Sequence, residues 1–314
     1  MSELTKIATR DSYGATLAEL GAEHPDIVVL DADLSEATKT IVFKKAFPDR
    51  HFNCGIAEGN MASAAAGLAA SGMTPFISSF AMFAAGRAYE QIRNSIGYPN
   101  LNVKICATHG GISVGEDGAS HQCNEDFALM RSIPGMTVIC PSDDEESKQI
   151  LRAVYNHKGP VYIRFGRSPV PAYHTSDYKF EIGKGELLCD GSDMTIIATG
   201  LPVYETILAA QKLKSEGISV RVINMPTIKP IDENIIIKAA KETGKILTVE
   251  EHSIIGGLGE AVAAVTAEKY PAKVLRHGIP DVFGHSGKAA VLIEAFGLTA
   301  GGIAAKAKGL CSNT

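Results

Sequence analysis

The chain has 314 residues, 45% apolar and 21% charged, with 30 basic against 35 acidic side chains and a formal net charge of −5. About 150 residues per domain predicts two domains, and the composition is that of a soluble globular protein rather than a disordered or fibrous one. No Lys/Arg-rich run offers a surface to nucleic acid or an anionic membrane, and the six cysteines form no CxxC, which predicts reduced thiols in a cytoplasmic protein.

In chain order, residues 11–24 predict a helix with no signal-peptide core. The short apolar, β-branched runs 26–33, 103–109, 136–143 and 161–166 predict buried strands, and 58–72 and 142–157 predict helices. The last of these starts with Ser142 as N-cap, acids in the first turn and basic residues later, which suits the helix dipole. Residues 59–86 carry no charge, yet Asn60, Pro75 and several serines and glycines fit a small-residue helix, a turn and a buried segment better than a membrane span. Around 168–185 the period is lost. After it come strands at 194–200, 220–225, 246–252 and 273–279, and helices at 203–216, 232–243 and 259–269. The expected organisation is α/β throughout: a first domain over 1–172, a linker over 173–186 and a second domain over 187–314, each a mostly parallel sheet flanked by helices.

Two glycine clusters mimic nucleotide loops. Gly257 and Gly259 stand before a helix, but the third glycine position is Val262 and the preceding loop is too long for a dinucleotide turn. Residues 284–288, GHSGK, lack the upstream glycine of a phosphate loop and the Ser/Thr after its lysine, so a surface turn is expected. The nine histidines show no HxxxH or HxH spacing, so no metal ligands are expected from this chain.

The densest unexplained polarity lies in ICATHGGISVGEDGASHQCNEDFALM, residues 105–130. His109, Glu116, Asp117 and His121 sit there with four glycines between 110 and 118 and no Lys or Arg. Such glycine density forbids a regular helix, lets the backbone approach a ligand, and follows the C-terminal end of a predicted strand, where open α/β sheets place their sites. Glu58 is a second candidate, alone among uncharged neighbours at a strand-to-helix junction. It either serves the helix dipole or exchanges a proton with a bound heterocycle. Phe80 and Phe83, three residues apart, belong either to the core or to such a pocket.

Taken together, FNCGIAEGNMASAAAGLAASGMTPFISSFAMF and THGGISVGEDGASHQ resemble the pyrimidine-binding domain of transketolase. VRVINMPTIKPID and ILTVEEHSIIGGLGEAVA resemble that family's C-terminal domain, so the resemblance covers this whole chain but only the C-terminal part of a full transketolase. It implies thiamine diphosphate as cofactor, with Glu58 hydrogen-bonding the aminopyrimidine so that its imino form removes the thiazolium C2 proton. It implies that Phe80 and Phe83 line the pyrimidine pocket. Gly86 stands where a third aromatic is usual, with Tyr89 a turn later to compensate, and Asp33 lies at the cofactor-facing strand end. By the same resemblance His109, Asp117 and His121 face the donor sugar, with the two histidines catalytic, and Arg10 and Arg167, or Arg164 nearby, bind phosphate. The family's GDG motif for diphosphate and Mg²⁺ is missing; CDGSD at 189–193 lacks its first glycine. The implied enzyme is a split transketolase in a dimer of heterodimers, whose N-terminal diphosphate-binding subunit supplies that site and which moves a ketol unit between sugar phosphates. A deoxyxylulose-phosphate synthase, a 2-oxoacid dehydrogenase β subunit and a non-catalytic partner are the alternatives, with THGG and the intact Glu58, Asp117 and His121 set favouring transketolase.

Overall fold

Runs without polar alternation become strands buried on both faces in the computed structural model, which describes residues 4–312. In chain order the first strands are β1 (Lys6–Ile7), β2 (Ile27–Asp31), β3 (His51–Asn53), β4 (Thr74–Ser78), β5 (Lys104–Thr108), β6 (Thr137–Ile139) and β7 (Val161–Phe165). They are followed by β8 (Val170–Pro171), β9 (Glu186–Cys189), β10 (Met194–Ala198), β11 (Val220–Asn224), β12 (Thr227–Lys229), β13 (Lys245–Ser253) and β14 (Lys273–Ile279).

One sheet runs β12-β6-β7-β5-β4-β2-β3 and the other β14-β13-β10-β11-β9, with β1 and β8 forming a separate pair. Each sheet is parallel except for one antiparallel edge strand, β12 in the first and β9 in the second. Hydrophobic clusters cover both faces of each sheet, as expected when helices lie on either side. β12 falls within the predicted second domain but pairs with β6, so the second half of the chain completes the first sheet.

The helix Asp144–Asn156 corrects one expectation. Its cap is Asp143, whose carboxylate accepts Glu146 N–H at 3.0 Å. Ser142 is one residue early, and its hydroxyl donates to Glu146 Oε2 at 2.6 Å instead. Two short helices, Ser35–Thr38 and Ile41–Ala46, fill a stretch where no element was expected. The apolar segment 289–312 is long enough to cross a membrane, yet it is broken at Gly297 (φ 71°) into Ala289–Ala295 and Ala300–Ser312, and both helices pack into the second core.

The predicted linker is fastened at His174. Its Nδ1 meets Asp143 Oδ1 at 2.9 Å and its Nε2 meets Glu186 Oε2 at 2.8 Å. Carboxylates accept only, so both ring nitrogens donate and the imidazole is an imidazolium. Burial opposes that charge, but the hydrogen bonds to Asp143 and Glu186 outweigh it and push His174 up to about 10.

Candidate active site

The C-terminal ends of neighbouring parallel strands converge on one edge of the first sheet, the edge where open α/β sheets bind ligands. Asp33 follows β2, Glu58 follows β3, Phe80 follows β4, His109 follows β5 and Arg167 follows β7. Two of these, Asp33 (φ 61°) and His109 (φ 57°), are non-glycine residues in the left-handed region, a conformation that costs free energy and clusters at functional sites.

Glu58 opens the helix Glu58–Ala70 and is 2% exposed. Arg87 Nη1 donates to its Oε2 at 3.3 Å, and Oε1 has no hydrogen bond among the described residues. Phe80 is buried and stacks on the His109 ring with centroids 3.9 Å apart. Phe83 is half-buried, its ring nearly parallel to that of Phe80 at 5.9 Å. The His121 ring presents its edge to both, at 6.4 Å from Phe80 and 5.4 Å from Phe83. Four of the expected residues thus share one aromatic cluster.

His109 is held in a single protonation state. Arg10 can only donate, so the 2.9 Å contact from its Nη1 makes His109 Nε2 an acceptor. The proton then sits on Nδ1, within 2.8 Å of Thr108 Oγ1. Burial, followed by the charges of Arg10, Arg167 and Lys39, pushes the imidazole down to about 3. Arg10 also donates to Ala37 O, and its buried Nε has no partner. Arg167 donates to Val114 O and lies 3.5 Å from Glu116 Oε2. Asp117 is exposed and free of hydrogen bonds among the described residues, while Asp33 Oδ1 accepts from Asn53 at 2.9 Å.

Two of the expected residues are held by the chain itself. Arg164 is 4% exposed, donates to Glu251 O at 2.7 Å, lies 3.5 Å from Asp126 and packs over Phe127. Any side chain at Gly110 or Gly111 would strike it, so Arg164 supports the loop from beneath, with its guanidinium engaged by the chain itself. Tyr89 is anchored on the side of Ser132. Its hydroxyl bonds Ser132 Oγ at 2.8 Å, and the Met82 methyl group occupies the space beside Gly86.

The loop itself is a pair of tight turns, Ile112–Asp117, joined at Gly115 (φ 86°). Gln122, buried and overlooked in the sequence, ties it down by donating to Gly115 O at 3.3 Å and to His285 O at 3.0 Å in the GHSGK turn. A groove of about 420 Å³ runs beside it between Met82, Ser120, Asn124 and Phe283. A larger cavity, about 880 Å³, lies between Pro171 and Tyr204 and shares none of the candidate residues. Arg87 was also overlooked; its signal was that it ends the charge-free run.

Comparison with known proteins matches residues 5–172 to the transketolase pyrimidine-binding domain and 183–303 to the transketolase C-terminal domain. A transketolase C-terminal section of Methanocaldococcus jannaschii is 54% identical over 298 residues, covering 94% of this chain and 93% of that protein. A 6-deoxy-6-sulfo-D-fructose transketolase subunit of Clostridium sp. is 42% identical, covering 93% and 90%. A solved structure described as a split-gene transketolase in an inactive β4 tetramer superposes with a TM-score of 0.90 at 50% identity, covering 98% of this chain and 99% of that one.

Proposed function

This chain belongs to the transketolase family, and from that premise we propose that it is the pyrimidine-side subunit of a split, thiamine-diphosphate-dependent transketolase. It transfers a two-carbon ketol unit from an anionic ketose to an aldose once a diphosphate-binding N-terminal subunit has docked. The observation that carries this is the buried Glu58 carboxylate, with one oxygen free of hydrogen bonds, at the same sheet edge as the Phe80–Phe83 walls. That donor set fits a flat heterocycle with a ring nitrogen that can be protonated. Bound thiamine diphosphate supplies a carbanion at its thiazolium C2, while the protein supplies orientation and proton balance.

Glu58 exchanges a proton with the heterocycle nitrogen, and Phe80 and Phe83 hold the ring and exclude water. Asp33, beside Asn53, closes the adjoining strand end. Asp117 offers an exposed carboxylate to a donor hydroxyl. His109, neutral with Nε2 taken by Arg10 and Nδ1 by Thr108, orients through its ring; His121, whose Nε2 has no hydrogen bond among the described residues, is the imidazole free to move a proton. Arg10 and Arg167 both act electrostatically on His109, and Arg10 keeps an unpartnered Nε, which suits the phosphate of a sugar phosphate or the sulfonate that the Clostridium relative's name describes.

The metal and diphosphate belong to the partner in this reading. Among the described residues the one cluster of three possible ligands is Glu146, His174 and Glu186. Both His174 nitrogens donate there and both Glu146 oxygens accept, from Tyr178 and Asn224 on one and Ser142 on the other, so neither of these two residues has a lone pair left for an ion. The CDGSD turn is likewise occupied, since Asp190 pairs with Arg221 at 2.7 Å. The outward face of the helix Glu58–Ala70 shows Asn60, Ser63, Ala64 and Gly67, with Ile56 exposed just before it, and an uncharged face suits the core of an interface. The inactive β4 form of the split-gene neighbour accords with a chain that needs its partner, in a dimer of heterodimers with it.

The test is to purify the chain with its N-terminal counterpart, load thiamine diphosphate and Mg²⁺, and assay phosphorylated and sulfonated ketoses with an aldose acceptor. Two-carbon transfer by the pair and none by this chain alone is expected. No transfer from any anionic ketose by the loaded pair would overturn the proposal.

A further inference from the structure

Glu58 owes its setting to a residue outside the expected site. A buried carboxylate is costly unless paired. Its recorded polar partner is Arg87, 57% exposed against 2% for Glu58. The Arg87 guanidinium also lies 5.4 Å from the Phe83 ring centroid, so it bridges the ring wall and the acid.

The bridge lies in a backbone irregularity. Between Met82 and Arg87 the helix widens, with Ala88 N–H donating to Phe83 O, five residues back, at 3.1 Å. Wide turns of this kind are rare and frequent at functional sites. Arg87, four residues after Phe83, lies beside its ring, and Gly86, lacking a side chain, leaves room for the Met82 methyl group.

We propose that Arg87 is a positioning residue for Glu58: by engaging Oε2 it fixes the carboxylate rotamer and leaves Oε1 presented to the cofactor's heterocycle. The proposal rests on the cofactor reading above and adds to it a role for a residue that acts through Glu58. Lysine could reach the same oxygen as a point charge, whereas methionine would keep the stem's packing and lose the donor.

The experiment is a double-mutant cycle on thiamine-diphosphate affinity, measured by calorimetry on the assembled pair with Mg²⁺. Arg87→Met is expected to weaken binding about tenfold and Arg87→Lys to restore most of it, with assembly checked by size-exclusion chromatography. In the Glu58→Gln background, Arg87→Met is expected to cost nothing further. Native affinity in Arg87→Met, or the same loss in both backgrounds, would overturn the positioning role while leaving the cofactor reading intact. If the unsubstituted pair binds no thiamine diphosphate, both fall together. Should Arg87→Met fail to assemble, Arg87→Lys and Arg87→Gln carry the cycle, with Gln expected to fall between Lys and the native loss predicted for Met.

Discussion

Both sheets place acids and histidines at or near the C-terminal ends of their strands, and the two sets are treated in opposite ways. At the end of β13, Glu250 is fully buried and accepts from Leu258 N at 2.7 Å and Gly259 N at 2.8 Å, the opening of the helix Leu258–Lys269. Burial pushes it up to about 7. Its neighbour His252, which burial pushes down to about 4, takes Ala128 N–H on Nε2 and bonds Ser253 O through Nδ1. This acid and this histidine are both met by the chain itself. In the first sheet Glu58 has one partner for two oxygens, His121 leaves Nε2 unbonded, and Asp117 has no hydrogen bond among the described residues. The architecture is the same, and it is the acids and histidines of the first sheet that keep unused hydrogen-bonding capacity, in keeping with the proposed site. The contrast also explains why Gly257 and Gly259 are no dinucleotide turn: a protein carboxylate already sits where the phosphate would.

The contrast breaks most sharply at Glu58. Glu58→Gln in the assembled pair is expected to lower turnover ~100-fold or more, as for other acid–base groups, with folding and assembly intact. Steady-state kinetics within tenfold of the native enzyme would contradict the proton-exchange role. At the satisfied edge the effect falls on stability instead. Glu250→Ala leaves two buried helix N–H groups without an acceptor and should cost roughly 1–3 kcal/mol, visible as a lower denaturant midpoint. Turnover per folded molecule should hold.

His174 provides a smaller effect with a definite sign. Its folded value, about 10, lies above the ordinary 6.5, so its stabilisation is complete below pH 6.5 and is lost as pH rises through about 10. Denaturation from pH 6 to 10 should show stability declining in the native chain and a flatter profile in His174→Gln, a difference on the order of 1 kcal/mol at pH 7. The smallest effect concerns His109, pushed down to about 3. Its imidazole resonances should stay those of the neutral ring down to pH 4, and Arg10→Met should move the titration upward. A native midpoint near 6.5 would mean that the Arg10 contact does not persist in solution.

Much of this was legible in the sequence because strands buried on both faces leave unbroken apolar runs. β2 and β10 come nearest to that, β5, β7 and β11 each carry one basic residue within the run, and Asp33, His109 and Arg167 stand just after β2, β5 and β7. What escaped was decided by packing. Ser142 and Asp143 are both good caps, and only the fold shows that the Ser142 hydroxyl is taken by Glu146. β12 joins the first sheet through a pairing with β6 that no local pattern encodes. The widened turn at 82–87 has no sequence signature, so Arg87 looked like an ordinary surface charge. Arg164 sits inside the apolar run VYIRF, and that setting was the clue to its burial.

The most direct test of the central claim is calorimetric binding of thiamine diphosphate with Mg²⁺ to this chain alone and then to the chain assembled with its N-terminal counterpart. The account predicts no binding alone and saturable binding in the pair, weakened but still measurable in Glu58→Gln. Tight binding by the chain alone would contradict the division of the cofactor site between subunits, and no binding in either state would contradict the cofactor assignment itself.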